Sequence, residues 1–106
     1  MSINKNIVEL FEKAQKGDRE AVTSIVEDNI GLVYKQAKKF KGKAISYDDA
    51  IQVGSLGLLY SIQNYDPTLN VKFSTYATTN IVGKILKEFR DNRDDVPFRI
   101  PRRNYN

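Results

Sequence analysis

VKFSTYATTNIVGKILKEFR, the stretch from Val71 to Arg90, has the spacing of one long amphipathic helix. Ser74 is a good N-cap for a helix beginning at Thr75, because its hydroxyl can accept from the first free backbone N–H groups. Apolar residues then recur every three or four positions, at Ala77, Ile81, Val82, Ile85, Leu86 and Phe89. This spacing predicts a helix that packs one face against a hydrophobic core.

The opposite face of this helix has side chains suited to nucleic acid. It carries an aromatic ring, then small polar groups and a glycine, then cations, in the order Tyr76, Thr79, Asn80, Gly83, Lys84, Lys87 and Arg90. A ring can stack on a base, short side chains let a backbone approach, and cations neutralise phosphates. A solvated surface helix with a basic end would give the same pattern, so both interpretations stay open here.

The composition limits the chain to one small domain and removes several kinds of chemistry. Its 106 residues suffice for one core, and 17 Lys plus Arg against 13 Asp plus Glu give a net charge of +4, which permits a polyanionic partner. The absence of Cys and His excludes disulfides, thiolate or imidazole zinc sites and His general bases. Neither a membrane span of roughly 20 apolar residues nor a signal-peptide cleavage site is found. We expect a cytoplasmic protein.

The N-terminal half predicts two helices. The first is amphipathic, and Gly17 can end it in a left-handed conformation; its apolar positions are Ile7, Leu10, Phe11 and Ala14. Asp18 caps a second helical pattern that continues to Phe40, as one helix or as two separated at Gly31. A positive patch is predicted at its end from Lys35, Lys38, Lys39, Lys41 and Lys43. Cations there also offset the helix macrodipole.

A third helix follows a capping box at residues 46–49 and ends before Pro67, because a residue preceding proline avoids the α conformation. Gly54 and Gly57 fall within its helical period, so we interpret them as positions of close helix contact and not as a phosphate-binding loop.

The predicted fold is therefore all-α. We expect a compact bundle of four to five helices over residues 1–94. Two prolines and several arginines predict an extended basic tail over residues 95–106.

Residues 29–90 resemble the second conserved region of bacterial RNA polymerase sigma factors. Residues 48–67, DDAIQVGSLGLLYSIQNYDP, are similar to the polymerase-docking helix of that family, and residues 72–85, KFSTYATTNIVGKI, to its promoter-melting helix. Gly83, followed by a charged residue and Ile85, is more similar to the stress and sporulation branch than to the housekeeping branch.

The resemblance implies a protein that is not an enzyme and uses no cofactor or metal. It also implies two partners that are engaged in turn. The domain would dock on the clamp coiled coil of the largest subunit of core RNA polymerase and then capture the non-template strand of the minus-ten promoter element. Family docking positions correspond to Asp49, Gln52, Val53, Ser55 and Leu59, and Val53 replaces a glutamate common in relatives. An anti-sigma factor is a further partner that the family implies.

The DNA-binding positions implied by the resemblance lie in three parts of the chain. They are Asn29, Leu32, Tyr65, Asp66, Phe73, Thr75, Tyr76, Thr79, Asn80, Gly83, Lys84, Lys87 and Arg90. Tyr76 corresponds to the residue that stacks on a flipped base, with Tyr65 as a pocket wall and Asp66 as a reader of the base edge. Asn29 and Leu32 correspond to the pocket for a second flipped base.

Several of these positions depart from the family pattern. Val71 stands where an aromatic residue is common, so one stacking ring is missing. Thr79 and Asn80 replace the tryptophan pair of housekeeping members, which implies less ready opening of the duplex, because each stacked base is worth about 1–3 kcal/mol. Lys84 replaces an acidic residue and adds a charge near the phosphates.

Two other functions are considered beside this one. The chain would be a protein-interaction module if an anti-sigma factor, or the second half of a split sigma factor, were its partner and DNA affinity were lost. A metal-dependent nuclease using Asp48, Asp49 and Asp66 is disfavoured, because adjacent helical residues cannot face one site. Since the family continues into a helix-turn-helix domain, we expect either a piece cut at a domain boundary or a single-domain relative.

Overall fold

The computed structural model describes residues 5–40, 42 and 45–92, and four helices account for most of them. They are α1 (Lys5–Gln15), α2 (Arg19–Lys38), α3 (Tyr47–Asn64) and α4 (Phe73–Asn92). No strand occurs among the described residues. The all-α prediction is confirmed. The predicted tail over residues 95–106 lies outside the described residues, as do Lys41 and Lys43.

Local capping signals set most of the helix ends. Gly17 has a φ of +99° between α1 and α2, as the sequence predicted. The Asp18 carboxylate accepts from the N–H groups of the second and third residues of α2, at 3.0 and 3.2 Å. The Ser46 hydroxyl accepts from the third residue of α3 at 3.1 Å. Because α2 is continuous, Gly31 does not divide it.

The start of α4 differs from the prediction. The helix begins at Phe73, so Ser74 lies exposed in its first turn and is not its N-cap. The Phe73 ring packs 4.9 Å from the ring of Phe11, measured between centroids. Burial of this ring favours a helical turn that starts before the local capping signal.

The core lies where α3 meets the other three helices, all of which it contacts. Its buried apolar side chains are Phe11, Ala14, Ala21, Ile25, Val33, Ala37, Ile45, Ala50, Leu58, Ile62, Ala77, Ile81 and Ile85. Ala77, Ile81 and Ile85 are fully buried, which confirms the centre of the inward face predicted for α4, whereas Leu86 at its margin is exposed. None of the described helices is long and apolar enough to cross a membrane.

The two glycines inside α3 let α4 and α2 approach closely. A Cβ at Gly57 would lie 2.8 Å from the carbonyl oxygen of Asn80 and 2.9 Å from the Cα of Ile81. A Cβ at Gly54 would lie 3.0 Å from a methyl carbon of Val33. The prediction that these glycines mark close helix contacts is confirmed.

Candidate docking and nucleic-acid surfaces

The outer side of α3 combines polar groups with exposed apolar side chains. Asp49 and Gln52 are exposed near its start, and Leu56 and Leu59 follow with 56% and 41% of their surface exposed. We call Asp49, Gln52, Leu56 and Leu59 the docking face. Leu56 was not among the residues predicted from the sequence, although its spacing of seven from Asp49 and four from Gln52 already indicated the same side of the helix.

Two further predicted docking residues lie at the margin of this face. Val53 is half-buried and packs against the core. The Ser55 hydroxyl donates to the carbonyl oxygen of Ile51 at 2.7 Å, within its own helix. At this half-buried position valine adds apolar contact with the core, whereas a glutamate carboxylate would lose part of its hydration.

Four aromatic rings meet where α1, the end of α3 and the start of α4 come together. They form the aromatic cluster: Phe11, Tyr65, Phe73 and Tyr76. Ring centroids are separated by 4.9 Å for Phe11 and Tyr65, 5.1 Å for Tyr65 and Phe73, and 5.8 Å for Tyr65 and Tyr76. Phe11 is buried and the other three are half-buried. The cluster therefore fixes the start of α4 and supports Tyr76 from one side.

The loop between α3 and α4 is held by its own hydrogen bonds. One carboxylate oxygen of Asp66 accepts from the hydroxyl of Thr68 at 2.6 Å and from its backbone N–H at 2.9 Å. These bonds hold the pKa of Asp66 below its usual value. The Tyr65 hydroxyl donates to the carbonyl oxygen of Val71. Burial, and then the charge of Asp66, raise the pKa of Tyr65.

The first half of α4 exposes several of the predicted strand-binding residues. Thr75 and Thr79 are exposed one helical turn apart, and the Thr79 hydroxyl donates to the Thr75 carbonyl oxygen at 3.1 Å. Gly83 and Lys84 are exposed one turn further on. Together with the half-buried Tyr76, these residues form the strand face of α4.

Asn80 has a packing role that the sequence did not predict. Its side-chain nitrogen donates to the hydroxyl oxygen of Ser61 at 2.9 Å. That hydroxyl is buried and donates to the carbonyl oxygen of Gly57 at 2.8 Å. The Asn80 backbone also lies against Gly57. Asn80 therefore positions α4 on α3, and its side-chain amide points toward Ser61.

The predicted cations are exposed at the ends of α2 and α4. Lys35 and Lys38 are exposed in the last turn of α2, and Lys39 is exposed directly after it. Near the end of α4, Arg90 is exposed and the Lys87 ammonium lies 3.4 Å from the Asp91 carboxylate. This pair is an exposed contact between residues four apart, which is worth only a few tenths of a kcal/mol. Asp91 therefore holds the Lys87 ammonium only weakly.

Asn29 and Leu32 are half-buried and three residues apart on α2. The Asn29 side-chain nitrogen donates to the carbonyl oxygen of Ile25 at 2.8 Å. This bond fixes the Asn29 side chain and leaves its side-chain carbonyl oxygen available as a hydrogen-bond acceptor.

Comparisons with known proteins agree with the resemblance. Residues 25–94 match the family model described as Sigma-70 region 2. The chain is 39% identical over 99 residues to a putative RNA polymerase sigma-G factor of Bacillus thuringiensis subsp. kurstaki, covering 93% of this chain and 77% of that protein. In Bacillus subtilis, it is 40% identical over 100 residues to the sigma-G factor and 37% identical over 86 residues to the sigma-F factor. It covers 37% and 34% of those two proteins, while the matches cover 93% and 81% of this chain.

Proposed function

The chain belongs to the Sigma-70 region 2 family, and we propose on that premise that it docks on the clamp coiled coil of core RNA polymerase and captures the non-template strand of the minus-ten promoter element. Its similarity to sigma-G and sigma-F factors agrees with the stress and sporulation branch predicted from Gly83 and Ile85. The domain would act in transcription initiation, to which it contributes binding of the polymerase and of the strand but no catalysis. We infer a cytoplasmic location, where bacterial transcription takes place.

One observation carries the proposal. Two helices in backbone contact at Gly57 expose chemically different faces. The docking face of α3 offers a carboxylate, an amide and two leucines, a composition suited to a protein partner. The strand face of α4 offers a ring, hydroxyls, a glycine and a cation, which suit an unpaired strand. Because α3 and α4 pack directly on each other, docking through α3 would fix the position of α4 on the polymerase.

Docking would combine charge with apolar contact. Asp49 and Gln52 would bond to cationic and polar groups of the coiled coil, and Leu56 and Leu59 would be buried beside them. Exposed leucines of this size are the groups that a protein interface covers.

We expect Asp49→Ala to weaken binding to the isolated clamp coiled coil by roughly 1–3 kcal/mol, through loss of a charge-assisted hydrogen bond. Asp48→Ala is the matched control, because Asp48 is also an acidic residue of the first turn of α3 but points to another side. Both changes remove the same favourable interaction with the helix dipole. Equal affinities for the two variants in a calorimetric titration would remove the Asp49 side of α3 from the interface.

Strand capture would centre on Tyr76. A base that leaves the duplex would stack on its ring, while Tyr65 supports the ring from behind and the second carboxylate oxygen of Asp66 reads the base edge. Phe73 supports this arrangement from within the aromatic cluster. Asn29 and Leu32 would hold a second base, and Thr75 and Thr79 would line the path between phosphate contacts.

Contacts with phosphates predict that strand affinity depends on salt concentration, and this dependence distinguishes Lys84 from Lys87. Removing one cation that neutralises a phosphate should flatten the slope of log affinity against log salt by about 0.7 for a single strand. We expect Lys84→Ala to cause the full change, and Lys87→Ala to cause the same change only if Lys87 leaves Asp91. Lys16→Ala, on the turn before α2, serves as the control, and titrations at several salt concentrations give the slopes. Slopes unchanged in both α4 variants would identify these lysines as solvated surface cations.

A protein-interaction module remains the second candidate, and specific observations favour it. Leu56 and Leu59 suit a protein partner, whereas the rings of Tyr65 and Phe73 are engaged within the fold and Val71 supplies no ring. Parallel titrations with the clamp coiled coil and with a minus-ten single strand separate the two functions. Strand capture requires both affinities and a preference among bases; the module, whether bound by an anti-sigma factor or part of a split sigma factor, retains only protein binding.

A further inference from the structure

Tyr60 is an exposed aromatic residue that neither the core nor the aromatic cluster uses. It lies on α3 four residues after Leu56, with 51% of its surface exposed. Its hydroxyl has no hydrogen-bond partner in the part of the chain that the structure describes. Helix α4 lies across from Tyr60. The two helices border an open groove of about 270 Å³, which is lined by Tyr60, Thr79, Asn80, Gly83 and Lys84.

The lining of this groove provides distinct chemical elements. The Tyr60 ring forms an aromatic wall, and Gly83 leaves the backbone of α4 uncovered, since a Cβ there would meet no atom within 4 Å. Lys84 is exposed and forms no ion pair with another described residue. The floor is rigid, because the Asn80 side chain is bonded to Ser61 at 2.9 Å. A stacking surface, an accessible backbone and an exposed cation are what a nucleotide requires.

The groove is too open to bury a whole small molecule. Sites for small molecules usually enclose about 300–1,000 Å³ and bury most of the ligand, whereas this groove is smaller and open along one side. Such an open groove suits part of a longer polymer better than a buried small molecule. A protein chain is the other polymer to consider, but Lys84 and the net charge of +4 favour a polyanion.

We propose that the groove between α3 and α4 is a further nucleotide subsite, in which a base of the captured single strand stacks on Tyr60 and an adjacent phosphate contacts Lys84. This inference rests on the proposed strand capture and adds a base position that Tyr76 does not serve. Because Tyr60 follows Leu56 by four residues, it lies at the margin of the docking face that borders α4, where its ring also lines the groove.

The test combines the protein change with removal of single bases from the probe. The 106-residue chain is bound to core polymerase and titrated with a fluorescein-labelled minus-ten single strand, intact or carrying one abasic position at a time. Tyr60→Ala should weaken binding of the intact strand about fivefold or more. For one abasic probe, Tyr60→Ala should cause no further loss of affinity, because this probe already lacks the base that Tyr60 holds. Tyr76→Ala should lose its effect at a different abasic position.

Matched variants separate stacking from structure and from protein docking. Tyr60→Phe should retain the affinity, because it keeps the ring. Gly83→Leu should weaken strand binding by filling the groove, while the fold tolerates it because the position is open. Tyr34→Ala removes another exposed tyrosine, on α2, and should leave strand affinity unchanged. Affinity of each variant for the clamp coiled coil should equal that of the unchanged chain.

Three results would overturn the subsite. If Tyr60→Ala and Gly83→Leu both leave strand affinity unchanged while Tyr76→Ala lowers it, strand capture stands and the groove is not part of it. If Tyr60→Ala weakens the clamp interaction and not the strand, Tyr60 belongs to the docking interface. If the unchanged chain gives no strand binding at all, the proposed function and the subsite fail together.

Discussion

Gly57→Ala is expected to destabilise the domain by about 2–3 kcal/mol, although alanine is a better helix former than glycine by about 1 kcal/mol. The added Cβ would lie 2.8 Å from the Asn80 carbonyl oxygen and 2.9 Å from the Ile81 Cα. Both atoms belong to the backbone of α4, which cannot rotate away as a side chain can. The helices must therefore separate, which loosens the packing of Ile81 and the hydrogen bond between Asn80 and Ser61.

Urea denaturation followed by circular dichroism measures this effect, and the midpoint of thermal unfolding should fall by roughly 10 °C or more. Gly83→Ala and Gly31→Ala are the matched controls, because a Cβ at either helical position meets no atom within 4 Å. Both should stabilise the domain by up to about 1 kcal/mol. If Gly57→Ala were as stable as these controls, the close contact between α3 and α4 would be wrong.

Tyr76→Ala is expected to reduce binding of a minus-ten single strand by roughly 1–3 kcal/mol, while Tyr76→Phe retains most of it. The ring is half-buried and its centroid lies 5.8 Å from that of Tyr65, at an interplanar angle of 36°. One side is thus supported by a protein ring, and the exposed part remains for a base. Because stacking needs the ring and not the hydroxyl, phenylalanine should substitute for tyrosine.

Phe73→Ala is the control for a purely structural role. The Phe73 ring contacts both Phe11 and Tyr65 in the aromatic cluster, so its removal should destabilise the fold by up to about 3–5 kcal/mol, the range for buried aromatic rings. Clamp binding and strand binding would then decline together. If Tyr76→Ala behaved in the same way, its ring would be part of the core. If it left folding and both affinities intact, the assignment of Tyr76 as the base-stacking residue would be wrong.

The sequence predicted those parts of the fold that depend on neighbouring residues. Gly17, Asp18 and Ser46 set helix ends through their own backbone or side-chain geometry, and each acts as its residue type predicts. The inward face of α4 follows from spacing alone. Gly54 and Gly57 were interpreted correctly because two glycines inside an apolar helical pattern leave a surface without side chains, which another helix can approach.

Features that depend on contacts between distant residues were not predictable in the same way. The bond from Asn80 to Ser61 joins residues nineteen positions apart, and no local pattern shows that an exposed-looking asparagine faces a buried serine. The early start of α4 depends on Phe11, far away in α1. The groove beside Tyr60 was not predicted either, because it exists only where α3 and α4 pack together.

The most direct test of strand capture is the affinity of a fluorescein-labelled minus-ten non-template strand for core RNA polymerase, with and without the chain. Strand capture predicts that the chain increases this affinity, prefers the non-template strand over its complement, and loses the increase on Tyr76→Ala while still binding the polymerase. A chain that binds the polymerase but leaves its affinity for the strand unchanged would contradict strand capture and identify a protein-interaction module.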